Sequence, residues 1–194
     1  MRRIVLFFLT FISATFCLVA QDSFFEQLAD SALTLTKDNV TYDPAYFSIS
    51  YPNGDVPAGK GVCTDVVIRA YRKLNIDLQK EVHEDMATHF DKYPTIWRLR
   101  NTDKNIDHRR VPNLMVFFEH FGTVLPITLK ASDYHPGDVV CWNLGGAITH
   151  IGIVSSKKNR LETRNLIVHN IGAGQVLQDC LFDYKIIGHY RFKK

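Results

Sequence analysis

The chain has 194 residues, with 23 Lys+Arg against 20 Asp+Glu, a formal net charge of +3 and 46% apolar residues. That length suits one domain able to build its own core. The near-balanced charge, with no Lys/Arg run longer than two residues, argues against a nucleic-acid-binding protein.

Arg2 and Arg3 precede an apolar and small-residue run from Ile4 to Ala20, and Gln21-Asp22 follow. This is the pattern of a secretory signal peptide, residues 1–20, cleaved after Ala20. The run is at the short end for a membrane span and no stop-transfer charges follow it. Thr15-Phe16 before Cys17 make a poor lipidation site. The expectation is therefore an exported protein of the periplasm or cell envelope, free of the membrane after cleavage. Residues 21–194 form its single domain, acting as a monomer. Loss of Arg2 and Arg3 takes Lys+Arg from 23 to 21, so the mature chain is close to neutral. It keeps Cys63, Cys141 and Cys180, an odd number that flags a free thiol in an exported protein. The economical reading leaves Cys63 free. Cys141 and Cys180 either pair or are separately buried.

Phe24, Phe25, Leu28, Ala29, Ala32 and Leu33 predict an amphipathic first helix. Between Tyr42 and Val56, Pro44, Pro52 and Asn53-Gly54 predict a loop with a short extended piece at Tyr46–Tyr51. Its tyrosines, Tyr42, Tyr46 and Tyr51, either line a groove or pack under the loop. Then comes Gly59-Lys60-Gly61-Val62-Cys63, and after it Val66, Val67, Ala70, Tyr71 and Leu74 recur at helical spacing. Cys63 thus falls in the first turn of a helix ending near Asn75. There the backbone N–H groups lack intrahelical partners and the dipole favours negative charge. A thiol so placed is expected to drop from about 8.5 toward roughly 4–7 when a histidine is also near. The flanking glycines leave room for a substrate against the backbone.

A second helix is predicted over Leu78–Asp91. It carries His83 and His89, six residues apart and so about 240° around a helix, which does not suit two zinc ligands on one face. A solvated face accounts for them, and no metal is expected. Trp97–Arg110 reads as a polar insertion. Its Asn105-Ile106-Asp107-His108-Arg109-Arg110 segment is either a local Asp107–Arg pair or, through Arg109 and Arg110, a clamp for a substrate carboxylate. Val111–His120, with Pro112 near its start and Gly122 after it, is a third helix.

From Asp133 the pattern turns to strands: Val139–Trp142, Ile148–Ser155, Leu166–Ile171, a short piece near Gln175–Leu177, and Ile186–Phe192. Helices first and about five antiparallel strands second make an α+β domain. Two strand histidines stand out. His150 lies in Ile148-Thr149-His150-Ile151-Gly152 and His169 in Val168-His169-Asn170. A reactive thiol needs a base, and the base needs a polar group that fixes its ring and tautomer. Cys63, His150 and His169 suit those three roles. Asn170 is the rival orienter, and strand alternation points it away from His169.

These residues carry a resemblance. Gly61-Val62-Cys63-Thr64-Asp65-Val66-Val67 is similar to the cysteine-helix motif of NlpC-type cell-wall peptidases, a papain-like group. Pro136-Gly137-Asp138-Val139-Val140 and Thr149-His150-Ile151-Gly152-Ile153-Val154 resemble their Gly-Asp and His-x-Gly strands. Val168-His169-Asn170 resembles the strand supplying their third polar residue. More closely, the chain from about Tyr42 to Tyr190 resembles the bacterial domain-of-unknown-function family 1287. Asp77-Leu78-Gln79, Ile106-Asp107-His108-Arg109-Arg110-Val111-Pro112-Asn113-Leu114 and Gly188-His189-Tyr190-Arg191 carry that likeness. The resemblance implies a papain-like, NlpC-type fold and an exported cysteine peptidase or amidase. Its catalytic residues would be Cys63, His150 and His169, and its substrate peptidoglycan or its stem peptides, without metal or organic cofactor. Substrate contacts are expected from Arg109, Arg110, Asp65 and Asn170. Acyl transfer through the same thioester, or a non-catalytic wall-binding module, are the alternatives. A long helical insertion after Cys63 and Asn170 in place of a small residue depart from ordinary NlpC-type enzymes.

Overall fold

The computed structural model describes residues 23–194; the expected signal peptide lies outside that range. Helix α1 covers 23–35. Phe25, Leu28, Ala29, Ala32 and Leu35 recur every three to four residues along it, and this face is buried. Helix α2, Cys63–Arg72, buries most of its length, including Val66, Val67, Ala70 and Tyr71. It ends three residues earlier than the apolar spacing predicts. Helix α3, Leu78–Thr88, starts on Asp77, whose carboxylate accepts the Gln79 N–H at 3.0 Å. A 3₁₀ turn, Phe90–Lys92, replaces its expected last turn. Helix α4, Val111–Phe121, carries Pro112 in its first turn, where the missing N–H costs no helical bond.

The strands form two sheets. The smaller pairs β1 (Thr41–Tyr42) with β2 (Lys60–Gly61) in parallel, which ties residues 41–42 to the segment entering α2. The larger contains β3 (Thr123–Val124), β4 (Val139–Gly145), β5 (Ile148–Lys158), β6 (Asn165–His169), β7 (Val176–Gln178) and β8 (Lys185–Arg191). All its pairings are antiparallel, in the order β3-β8-β4-β5-β6-β7. It has six strands where the sequence pattern predicts about five. The addition is β3, a two-residue edge strand too short to show a period.

Alternation along the strands sorts the core into two layers. On one face Val139, Cys141, Ile151, Ile153 and Val168 pack with Val66 and Val67 of α2 and with Leu114, Phe117 and Phe118 of α4. On the other face Val140, Trp142, Val154 and Ile167 are covered by Tyr134, Cys180 and Leu181. The helices therefore lie on one side of a sheet whose second side is sealed by loops. No helix among the described residues is long and apolar enough to cross a membrane.

Candidate active site

Cys63 is the first residue of α2 and is 7% exposed. The approach to it is held by a chain of polar contacts. The Asp65 carboxylate accepts the Val62 N–H at 2.7 Å, bracing the turn into the helix. It also accepts Arg109 Nε and Nη2, each at 3.0 Å, in a two-pronged pair almost wholly out of water. Arg109 Nη1 donates to Ala45 O at 3.1 Å, which fastens the tyrosine-bearing loop. Asn170 Nδ2 donates to Gly61 O at 3.2 Å, two residues before the thiol.

The backbone N–H of Ile151 favours the thiolate form of Cys63. Cys63 packs with Cys141, Ile151 and Ile153 in the core on the helix-covered face of the sheet. His150, the residue before Ile151, turns its ring to the loop-covered face. There it lies against Trp142, with ring centroids 5.8 Å apart. His150 Nε2 meets His169 Nδ1 at 2.8 Å, and His169 Nε2 meets Gln178 Oε1 at 3.0 Å. The amide oxygen of Gln178 only accepts, so His169 carries its proton on Nε2 and accepts at Nδ1. His150 then donates from Nε2, and its Nδ1 keeps a free lone pair. The relay thus leaves His150 Nδ1 without a proton. Among the described residues no hydrogen bond joins Cys63 Sγ to either imidazole.

Burial dominates the electrostatics. It pushes the Cys63 thiol up to about 11, against the N–H groups of Ile151 and Thr64, which favour the thiolate. Burial and then the neighbouring His169 push His150 down to about 3, and burial also lowers His169. This reverses the thiol shift expected from the helix start. The helix end acts as expected, but removing the thiolate from water costs more than the local N–H groups return. Thiol and imidazole are both neutral in the free protein.

A cleft of about 230 Å³ opens at the thiol, lined by Tyr42, Pro44, Val62, Trp97, Arg110 and Thr149 among others. Tyr42 is the one expected groove tyrosine that lines it. Tyr46 donates to Asp103 and Tyr51 packs edge-on against His83. The two expected arginines diverge. Arg109, although at the cleft wall, pairs with Asp65, and these two expected substrate contacts hold the α2 entrance. Arg110 stacks on Trp97 with its guanidinium carbon 4.2 Å from the ring centroid, and its Nη1 is buried without a partner. The local Asp107–Arg pair, one of the two alternatives for this segment, is not formed among the described residues. Asp107 is fully buried, accepts the Asp103 N–H at 2.6 Å, and lies 3.4 Å from His83 Nδ1.

His169 and Asn170 face opposite ways, as alternation predicts, one to His150 and the other to Gly61. Cys141 and Cys180 are unpaired and buried, with Cys180 Sγ 3.6 Å from His169 Nε2. Sequence reasoning missed Gln178 and Trp142. A glutamine in a short strand was its only visible sign, and Trp142 read as core.

Residues 29–192 match the family described as "Domain of unknown function (DUF1287)". The chain belongs to that family. This DUF1287 protein is also 49% identical over 165 residues to "Uncharacterized protein YijF" of Escherichia coli (strain K12), covering 85% of this chain and 80% of that one. Two solved structures, NlpC1 and NlpC2 from Trichomonas vaginalis, are similar to it. For NlpC1 the identity is 14% and the TM-score 0.47, over 88% of this chain and 45% of that one. For NlpC2 the identity is 17% and the TM-score 0.48, over 90% and 48%. The DUF1287 chain spans about half the length of those two proteins. In the DUF1287 chain the motif Asp77-Leu78-Gln79 has a mechanical role. Gln79 accepts the Gly54 N–H at 2.7 Å and donates to Ser50 O and Lys104 O at 2.8 and 3.1 Å, clasping two loops to α3.

Proposed function

We propose that this protein is an exported thiol hydrolase that cleaves an amide bond in peptidoglycan stem peptides. The observation that carries the reading is the His150–His169–Gln178 relay, with its unprotonated Nδ1, on the strand whose Thr149 lines the same cleft as Cys63. Two apolar residues would fill the space without buried polar groups to satisfy, and this supports a chemical role for the relay.

The chemistry follows from the neutral pair. As the sulfur attacks the carbonyl carbon, the thiol proton passes to His150 Nδ1, so no free thiolate has to persist in the buried site. The Cys63 backbone N–H, unpartnered within the helix, supports the oxyanion of the tetrahedral intermediate. Collapse breaks the C–N bond, and His150 returns the proton to the leaving amine. Water then attacks the thioester carbonyl and gives one proton to His150, which passes it to the departing sulfur. A free acid and the thiol result. His169 holds the ring and supports its charged form while it lasts. Arg110, with its unpartnered N–H beside the cleft, is the group for a substrate carboxylate, and stem peptides are rich in them. The motif resemblance supplies this substrate class. Residues 21–194 acting as a monomer in the cell envelope complete the reading.

The test is digestion of purified muropeptides with mass analysis of the products. Wild type should release fragments one water heavier in sum than their parent, while Cys63→Ala and His150→Ala release none. Intact muropeptides with folded wild type, or equal turnover by Cys63→Ala, would overturn the proposal.

A further inference from the structure

Away from the thiol, the ends of α3 and α4 bring together three side chains that the sequence keeps apart. Asp85 lies in the last turn of α3, His89 caps that helix, and His120 sits in the last turn of α4. His89 Nδ1 is 2.8 Å from Asp85 Oδ1, and His120 Nδ1 is 2.9 Å from Asp85 Oδ2. The ligand atoms of all three lie within 4.8 Å of one another. Helix periodicity keeps His83 and His89 on different faces of α3. Tertiary packing gives His89 a different partner, 31 residues further along the chain.

We propose that Asp85, His89 and His120 bind a divalent zinc ion. Two imidazole nitrogens and one carboxylate oxygen are a zinc ligand set, with a fourth position left for water. Nitrogen donors argue against magnesium and calcium, which take oxygen ligands. In a tetrahedral site with bonds of about 2.0–2.2 Å, neighbouring ligand atoms stand roughly 3.3–3.5 Å apart. The 2.8 and 2.9 Å contacts, one to each oxygen of Asp85, have to open by about half an ångström, while separations up to the 4.8 Å limit of the cluster have to close by as much as about 1.5 Å through turning of the half-exposed histidines.

Three further features suit a cation. Asp85 is buried and oriented from behind by Tyr93, whose hydroxyl donates to Oδ2 at 2.6 Å, the outer support that metal carboxylates usually have. The carboxyl ends of α3 and α4 converge there, and their unsatisfied carbonyls favour positive charge. The two histidines are the open side, with side chains 50% and 32% exposed, so an ion can enter without unfolding. Bound zinc would staple α3 to α4 at the end opposite the Arg109–Arg110 entrance to α4. It takes no part in the thiol chemistry, so this inference stands or falls independently of the proposed hydrolase.

The experiment is calorimetric titration of the purified protein with zinc chloride at neutral pH, with thermal melting followed in parallel. One zinc per chain should bind, the melting temperature should rise, and magnesium should do neither. His120→Ala and His89→Ala should each weaken binding by ~10-fold or more, while His83→Ala binds as wild type does. If His120→Ala fails to fold, the half-exposed cap variant His89→Gln carries the test, with folding checked by circular dichroism. No binding by folded wild type overturns the site. Binding unchanged in the folded His89 and His120 variants, or abolished in Cys63→Ser alone, also overturns it.

Discussion

The pair formed by Asp65 and Arg109 sets up the sharpest test of how the α2 entrance is built. Asp65→Ala removes the acceptor for two guanidinium bonds of 3.0 Å and for the Val62 N–H at 2.7 Å. The two side chains are 3% and 2% exposed, so water cannot take over from the lost carboxylate. Breaking one side of a buried pair leaves an uncompensated charge and costs about 3–5 kcal/mol. For a domain of this size each kcal/mol moves the melting temperature by about 2–4 °C, so the expected drop is roughly 6–20 °C. The assay is thermal melting by circular dichroism. The double substitution Asp65→Leu with Arg109→Met removes both charges and fills the space, so it should recover most of that loss. A fall of less than about 1 °C in Asp65→Ala, or a double variant no more stable than the single one, would refute the reasoning.

His169→Ala should lower kcat on a muropeptide by ~10²–10⁴, because the His150 ring loses the group that fixes it. Asn170→Ala should act far less on kcat, since it holds Gly61; the reverse ranking would sink the assignment. Gln178→Leu should lower kcat by less than His169→Ala, and Gln178→Glu, which still accepts from His169 Nε2, should keep more activity than Gln178→Leu; equal loss in the two would contradict the tautomer order. Alkylation of native Cys63 should keep rising with pH. With the thiol pushed up to about 11, the thiolate fraction below that value grows about tenfold per pH unit. A rate that levels off in mildly acidic solution would show a stabilised thiolate and refute the neutral pair.

Much of the molecule was legible because the governing forces are local in sequence. The 3.6-residue spacing of Val66, Val67, Ala70 and Tyr71 determines that a helix follows Cys63 and which face it buries. The two-residue period in β5 and β6 determines that His150 shares a face with Gly152 and that His169 and Asn170 part ways. Gly152 has a reason within that pattern, since a Cβ there would stand 2.8 Å from Ile167 Cγ2 and 2.9 Å from Val168 O. The two-residue strands β1, β2 and β3 were not legible, because a segment that short has no period to read.

The rest depended on partners distant in the chain. A guanidinium beside a loop reads equally as a substrate clamp or a structural pin, and only the fold delivers Asp65 to Arg109, 44 positions further along the chain. Likewise His89 meets His120 only because α3 and α4 end at the same place. The thiol shows the division most clearly. Its place at a helix start, and the pull of that helix on its proton, follow from the local sequence. The opposing cost of desolvation arises from the helix and strand side chains packed around the thiol, and burial is a sum over contacts that no local pattern records.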